Sequence, residues 1–236
     1  MYGLYGFMSK MMLTGKLKFN PGKIEVLGDP MAIMSMEALK QITQDALSRG
    51  REGRMGLYYE GWVYGYTFTY RFAKVLNLKM FEERYRTIMD TAAMIGFGDF
   101  KTLEFRPGYA HYQVLANPFA LQYHPSKEMA DVLLAGMNAG GGSVVHEKLI
   151  NCVELQCAAQ NGKLCEFKNL EPKEVYKLNP ALVEPQLDME TLVPKELHLI
   201  ESLGHDVTVY KQSVEDAKEE KARYQAKLTG TQEKQA

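Results

Sequence analysis

Over residues 12–29 apolar positions alternate weakly with polar ones. Leu13, Leu17 and Phe19 come first, then Ile24 and Val26, with Lys16 and Lys18 among them. Asn20-Pro21-Gly22 separates the two runs and has the residues of a tight turn, so the stretch predicts a β-hairpin. The period then lengthens. Ser35 stands before the helical stripe Leu39, Ile42, Ala46 and Leu47, and Gly50 supplies its stop. A second helix is predicted over 55–75, where Leu57, Tyr58, Trp62, Tyr66 and Phe68 are interleaved with Gly61 and Gly65. Glycines four residues apart share one helix face, and another backbone can approach them closely. Each costs roughly 1 kcal/mol against alanine inside a helix, so close packing or a ligand has to offset them. A third helical run, 79–95, has Phe81, Tyr85, Ile88, Met89 and Ala92 in register and Gly96 behind it.

Period two returns at 99–105 and 109–115, two strands joined by the turn sequence Arg106-Pro107-Gly108. In the second strand Tyr109, His111 and Gln113 take one face, and Ala110, Tyr112 and Val114 the other. Asn117-Pro118 ends it. A helix is predicted over 127–145, containing Gly136 and Gly140 and then Gly141 and Gly142. A strand over 148–158, a loop at Gln160-Asn161-Gly162 and a return strand over 163–168 follow. Helices and antiparallel strands in this order predict an α+β fold. Beyond Pro172 the texture changes, as Pro180, Pro185 and Pro194 punctuate short apolar patches. From 213 to 236 Lys, Glu, Gln and Ala dominate, which predicts a solvated helix or a disordered tail.

The 236 residues suffice for one good-sized core and a tail, or for two small domains. A net charge of −1 gives no bulk attraction to nucleic acid. No run of roughly 18 apolar residues occurs, so no membrane span is expected. The apolar start of the chain is short and lacks a basic region and a small-residue cleavage site, so it is not read as an export signal. An odd, small number of cysteines without such a signal points to a reducing, cytoplasmic setting. Fourteen Met, ten Phe, fourteen Tyr and one Trp suit an adaptable apolar pocket, and suit ordinary core filling equally.

All three cysteines lie between 152 and 165. Seven residues separate Cys157 from Cys165, and Glu154 stands three before Cys157. Such a group suits a metal clip, a redox pair, a ligand site or simply two buried hydrophobic thiols. A three-residue loop at 160–162, with Gly162 left-handed, pairs 157 with 165 and sets the sulfurs side by side, roughly 5 Å apart. A two-residue loop at 161–162 pairs 158 with 165 and turns the sulfurs to opposite faces. Glu154 joins them only through a bulge or a strand end. Two thiolates and a carboxylate leave one place open on a four-coordinate zinc, and Asp131, His146 and Cys152 are the candidates for it.

Together these segments resemble the 4-vinyl reductase domain family over about residues 12–170. The carriers are Gly96-Phe97-Gly98 opening a strand, Leu115-Ala116-Asn117-Pro118-Phe119 closing one, the helix with Gly136 and Gly140, and Glu154, Cys157, Cys165 and Phe167 in their spacing. That domain stands alone in archaea and bacteria and forms the sensor half of phenol-responsive transcription activators. Core subunits of the TRAPP vesicle-tethering complex have a related fold. The resemblance implies an antiparallel sheet packed with helices, a ligand pocket between the two, and a homodimer. In the phenol sensors a zinc ion is held by a Glu-x-x-Cys-x7-Cys run plus a cysteine at the start of the preceding helix. Glu154, Cys157 and Cys165 match that run. Counting back through the matched glycines puts Asp131 in the fourth place, a departure, since oxygen for sulfur weakens a soft site. For the pocket, the matching stretch implies Trp62, Tyr66, Phe81, Tyr85, Phe97, His111 and Tyr112 as lining.

The expected organisation is an N-terminal extension over 1–11, a ligand-binding domain over 12–170, a Pro-punctuated extension over 171–212 and a charged tail over 213–236. Three functions fit it. One is a module that senses or carries a small hydrophobic or aromatic molecule and acts through a partner chain. Another is a dimeric scaffold whose tail docks a partner protein, and the last an accessory in tetrapyrrole vinyl reduction. Catalysis by the chain itself is not expected. Gly140-Gly141-Gly142-Ser143 follows an apolar helix and lacks the lysine of a phosphate loop.

Overall fold

A computed structural model describes residues 4–232, with side chains described over 6–223. Residues 1–3 of the expected N-terminal extension and 233–236 of the tail lie outside the described residues. Helix α1 (Leu4–Leu13) leads into a small antiparallel sheet of β1 (Leu17–Asn20), β2 (Lys23–Val26) and β3 (Asp29–Met31). Asn20 pairs with Lys23 around Pro21-Gly22, so the predicted turn closes the hairpin. Ser35 then caps α2 (Met36–Leu47), its hydroxyl accepting from the Ala38 N–H at 3.2 Å. Gly50, at φ +65°, makes the corner into α3 (Gly50–Val75), and α4 (Phe81–Met94) follows.

The main sheet is antiparallel with the order β4-β5-β7-β6, from β4 (Asp99–Arg106), β5 (Tyr109–Leu115), β6 (Asn151–Gln156) and β7 (Leu164–Leu170). Between β5 and β6 run α5 (Pro118–Leu121) and α6 (Val132–His146), and the one-turn helix α7 (Ala158–Asn161) sits in the β6–β7 connection. The remaining chain forms α8 (Pro172–Val175), α9 (Pro180–Val183), α10 (Met189–Ser202) and α11 (Thr208–Gln232). This is the α+β class that the periodicity predicts.

The glycines of α3 and α6 account for the centre of the molecule. A Cβ at Gly61 would lie 2.2 Å from the Leu133 carbonyl oxygen, and one at Gly65 would lie 2.0 Å from that of Met137. Gly136 and Gly140 meet the carbonyls of Tyr58 and Trp62 equally closely. The two backbones therefore touch, which is the close packing that offsets the helical cost of glycine. Between this helix pair and the sheet lie Tyr58, Trp62, Tyr112 and Phe167, all fully buried.

Several expected boundaries move. The helix predicted over 127–145 begins only at Val132, because the Ala130 N–H is engaged by the Cys157 sulfur at 3.4 Å. Pro194 lies inside α10 rather than between elements, and the described part of the charged tail continues α11. No helix among the described residues is long and apolar enough to cross a membrane.

Candidate functional site

Four polar side chains converge where the N-terminus of α6 meets the β6–β7 connection. Asp131 is the residue before α6, Glu154 lies near the end of β6, Cys157 precedes α7, and Cys165 is on β7. One donor atom from each lies within 4.8 Å of the others, and none of the four residues is more than 2% exposed. The backbone explains the meeting. Gln156 pairs with Glu166, the register of the three-residue-loop reading, but Glu154 pairs with Phe167, so an irregularity between them turns Glu154 toward the sulfurs. The expected three-residue loop is instead the helical turn α7, closed by Gly162 at φ +67°.

Each donor is fixed by further hydrogen bonds. Asp131 Oδ2 accepts from Asn117 Nδ2 at 2.8 Å and from the Cys165 thiol at 2.7 Å. Cys157 Sγ accepts from the Ala130 N–H, and Cys165 Sγ from the Ala158 N–H at 3.2 Å. The backbone of Glu154 is clamped by Gln186, which accepts its N–H and donates to its carbonyl, both at 2.9 Å. Asp131 Oδ1 and Glu154 Oε1 are buried and have no partner among the described residues. Sequence reasoning missed Asn117 and Gln186. Asn117-Pro118 did carry a signal: an asparagine capping α5 accepts with its carbonyl from Phe119 and Ala120, which leaves its amide N–H groups to reach inward.

Burial, then the charge at Cys157, pushes the Asp131 carboxyl up to about 8. Burial and then Asp131 push Glu154 up as well. Cys157 is pulled down to about 5, chiefly by its contact with Cys165, whose own thiol is raised by the same contact. By itself the cluster thus gathers negative charge on one sulfur and disfavours it on the other donors. A divalent cation reverses that balance, since it draws carboxylates and thiolates to their ionised forms. Two sulfurs and two carboxyl oxygens, with two orphan oxygens and backbone N–H groups on both sulfurs, fit such an ion. The other candidates for the fourth place lie elsewhere. His146 ends α6 and accepts from the Gly108 N–H at 3.1 Å, and Cys152 contacts the Tyr112 hydroxyl at 3.8 Å.

The seven expected lining residues do not gather round one chamber. Trp62 stacks on Tyr66 at 5.0 Å, and the Tyr66 hydroxyl meets His205 Nδ1 at 3.0 Å. Tyr85 stacks on Phe105 at 4.6 Å and bonds Thr102, while Phe81 packs between Phe105 and His146. Tyr112 donates to Asn169 at 3.2 Å. His111 takes the opposite face of β5 from Tyr112, as strand alternation requires, and pairs with Glu166 at 2.8 Å. That bond puts it outside the layer between helices and sheet. Phe97 alone of the seven lines a large groove, of about 630 Å³. The groove also takes Phe19, Ile33, Met34, Tyr64, Leu133 and Met137 among others, and among the described residues no charged one contributes to its walls.

The architecture is thus an α+β fold with a buried polar cluster at its β6–β7 hairpin. Twelve chains of solved structure match it. One is the phenol-responsive sensory domain of the transcription activator PoxR, in a crystal structure with phenol. The similarity has a TM-score of 0.57 at 17% identity and covers 67% of this chain and 86% of that one, so the likeness is one of fold. No family model matches the chain, and no curated protein matches it.

Proposed function

We propose that the chain is a sensor- or carrier-type domain that binds a small hydrophobic or aromatic molecule and is braced by one zinc ion on Asp131, Glu154, Cys157 and Cys165. The carrying observation is the buried four-donor cluster with its two orphan carboxyl oxygens. Zinc suits a mixed set of sulfur and oxygen donors, whereas calcium and magnesium want oxygen alone. When bound, the ion ties the hairpin to α6 and adds folding free energy. The groove beside Phe97 is the favoured place for the ligand, since its volume lies in the usual range of about 300–1,000 Å³ and its walls are apolar. Helix α6 joins the two sites. Asp131 precedes its first turn, and Leu133 and Met137 of the same helix line the groove. A ligand seated there bears on the helix that the metal holds, and the change is passed to a partner chain.

A second observation favours a homodimer. Ile33 is 84% exposed, and Phe19 and Met34 stand more than half exposed on the rim of the same groove. A small ligand inside leaves these side chains in water, whereas a second copy covers them. Native mass spectrometry of the untreated protein tests the whole reading. The expected species is a dimer with one zinc per chain and a small organic adduct. Ile33→Asp should give a monomer that keeps its zinc. A metal-free, adduct-free chain in repeated preparations refutes the proposal.

A further inference from the structure

A second cavity, of about 660 Å³, opens between α1, the C-terminal end of α3 and α4. Its floor is apolar, from Phe7, Met11, Val75, Leu76 and Leu78, and its polar edge carries Lys10, Lys16 and Arg86. Elsewhere on the molecule bases find acids, as Arg54, Arg71 and Arg84 each reach a carboxylate. Among the described residues Lys10, Lys16 and Arg86 form no such pair. One acid, Asp90, also lines the cavity, and burial holds its carboxyl above its ordinary range against the pull of Arg86. Three unpaired cations against one acid make this cleft electropositive in a chain whose net charge is −1.

We infer that this cleft is a binding site for a free single-chain amphiphile with an anionic head, of the fatty-carboxylate class. The head lies among Lys10, Lys16 and Arg86 and accepts their N–H groups, and the chain lies on Phe7, Met11, Val75, Leu76 and Leu78. Charge complementarity selects the head, and apolar area supplies the affinity for the tail. This site shares no residue with the groove beside Phe97, so it stands independently of the function proposed above.

Calorimetric titration of the full chain, below the micelle-forming concentration, compares dodecanoate with dodecyltrimethylammonium, which has the same tail under a cationic head. Dodecanoate should bind once per chain, and the cationic probe should not. In the double variant K10E/R86E the dodecanoate affinity should fall at least about tenfold, or ~1.4 kcal/mol. Both side chains are exposed, so the fold should survive, and circular dichroism checks it. Val75→Asp, on the floor, should weaken binding too. Equal binding of both probes overturns the inference. So does a K10E/R86E variant that melts lower but binds dodecanoate as before, because the cations then serve only to offset the carbonyl ends of α1 and α3. Flotation with anionic vesicles and no binding of free dodecanoate overturns it in favour of a membrane surface.

Discussion

Replacing Gly65 by alanine sets two physical effects against each other. Helix propensity favours alanine by about 0.8–1.0 kcal/mol in a helix interior. Packing opposes it. The new methyl carbon would lie 2.0 Å from the Met137 carbonyl oxygen and 2.8 Å from the Met137 Cα, and ordinary contact begins near 3.4 Å. Nothing at that spot can rotate away, because the obstacle is backbone. The helices α3 and α6 must part by more than about 1 Å, which also loosens Trp62 and Tyr66 beneath them. Overpacking costs about 1–3 kcal/mol where side chains can adjust, and a backbone obstacle belongs at or above the top of that range. The net expectation is a loss of about 2 kcal/mol. Gly56 lies on the same helix, and a methyl group added there would meet no heavy atom of the described residues within 4 Å, so Gly56→Ala should gain up to about 1 kcal/mol. At about 2–4 °C per kcal/mol for a chain of this size, Gly65→Ala should melt about 4–8 °C lower and Gly56→Ala a few degrees higher. Thermal melts followed by circular dichroism at equal metal content measure both. A Gly65→Ala protein as stable as its parent, or two shifts of the same sign, refutes the backbone-contact argument.

Stripping the proposed zinc with a chelator should lower the melting temperature, since a ligand at a thousand times its Kd contributes about 4 kcal/mol. Cys157→Ser should lose the ion by elemental analysis, and an unchanged melt after chelation counts against the brace. Gln186→Ala should leave the Glu154 N–H unpaired and cost about 1–3 kcal/mol, with weaker zinc retention; a urea titration that matches wild type would sink that role. Burial pushes the Glu196 carboxyl up to about 8, above the roughly 4.3 of an unfolded chain. The folded protein holds the extra proton between those values, so this group's contribution to stability declines as pH rises from about 4 to 8. The steepest decline is about 1.4 kcal/mol per pH unit. Glu196→Gln should lack the decline and gain on wild type across that window, and parallel stability curves for the two proteins would contradict it.

Much of the architecture is legible because local chemistry and tertiary structure agree. Asn20-Pro21-Gly22 and Arg106-Pro107-Gly108 close hairpins, Ser35 caps a helix, and the glycine pairs of α3 and α6 mark the place where backbones meet. The start of α6 is not legible. Lys127, Glu128, Met129 and Ala130 read as helix, yet the Ala130 N–H goes to a sulfur 27 residues away, which no local pattern encodes. The cluster at the hairpin is half legible. Spacing brings Cys157 and Cys165 together only in one register, and the irregularity that turns Glu154 toward them depends on how β6 meets β7. The aromatic lining is the least legible part. Trp62, Tyr66 and Tyr112 are apolar enough for either a pocket or a core, and nothing in a single sequence separates a wall from a filling.

The close contact of α3 with α6 also bears on how the proposed brace and groove could communicate. Two helices held apart by long side chains can slide, because rotamers absorb the motion. Helices in backbone contact at Gly61, Gly65, Gly136 and Gly140 have no such slack. Asp131 immediately precedes the first residue of α6, and Leu133 and Met137 lie within its first two turns. Tyr64 of α3 lines the same groove. A molecule that displaces Leu133 or Met137 must therefore displace α3 with them, or shift Asp131 against Cys165 and Glu154. With a metal on those donors the second route is stiff, and the movement is directed into α3. Without it the N-terminus of α6 is free to give. An ion held there would do more than add stability, because it would decide which end of α6 yields when the groove is filled.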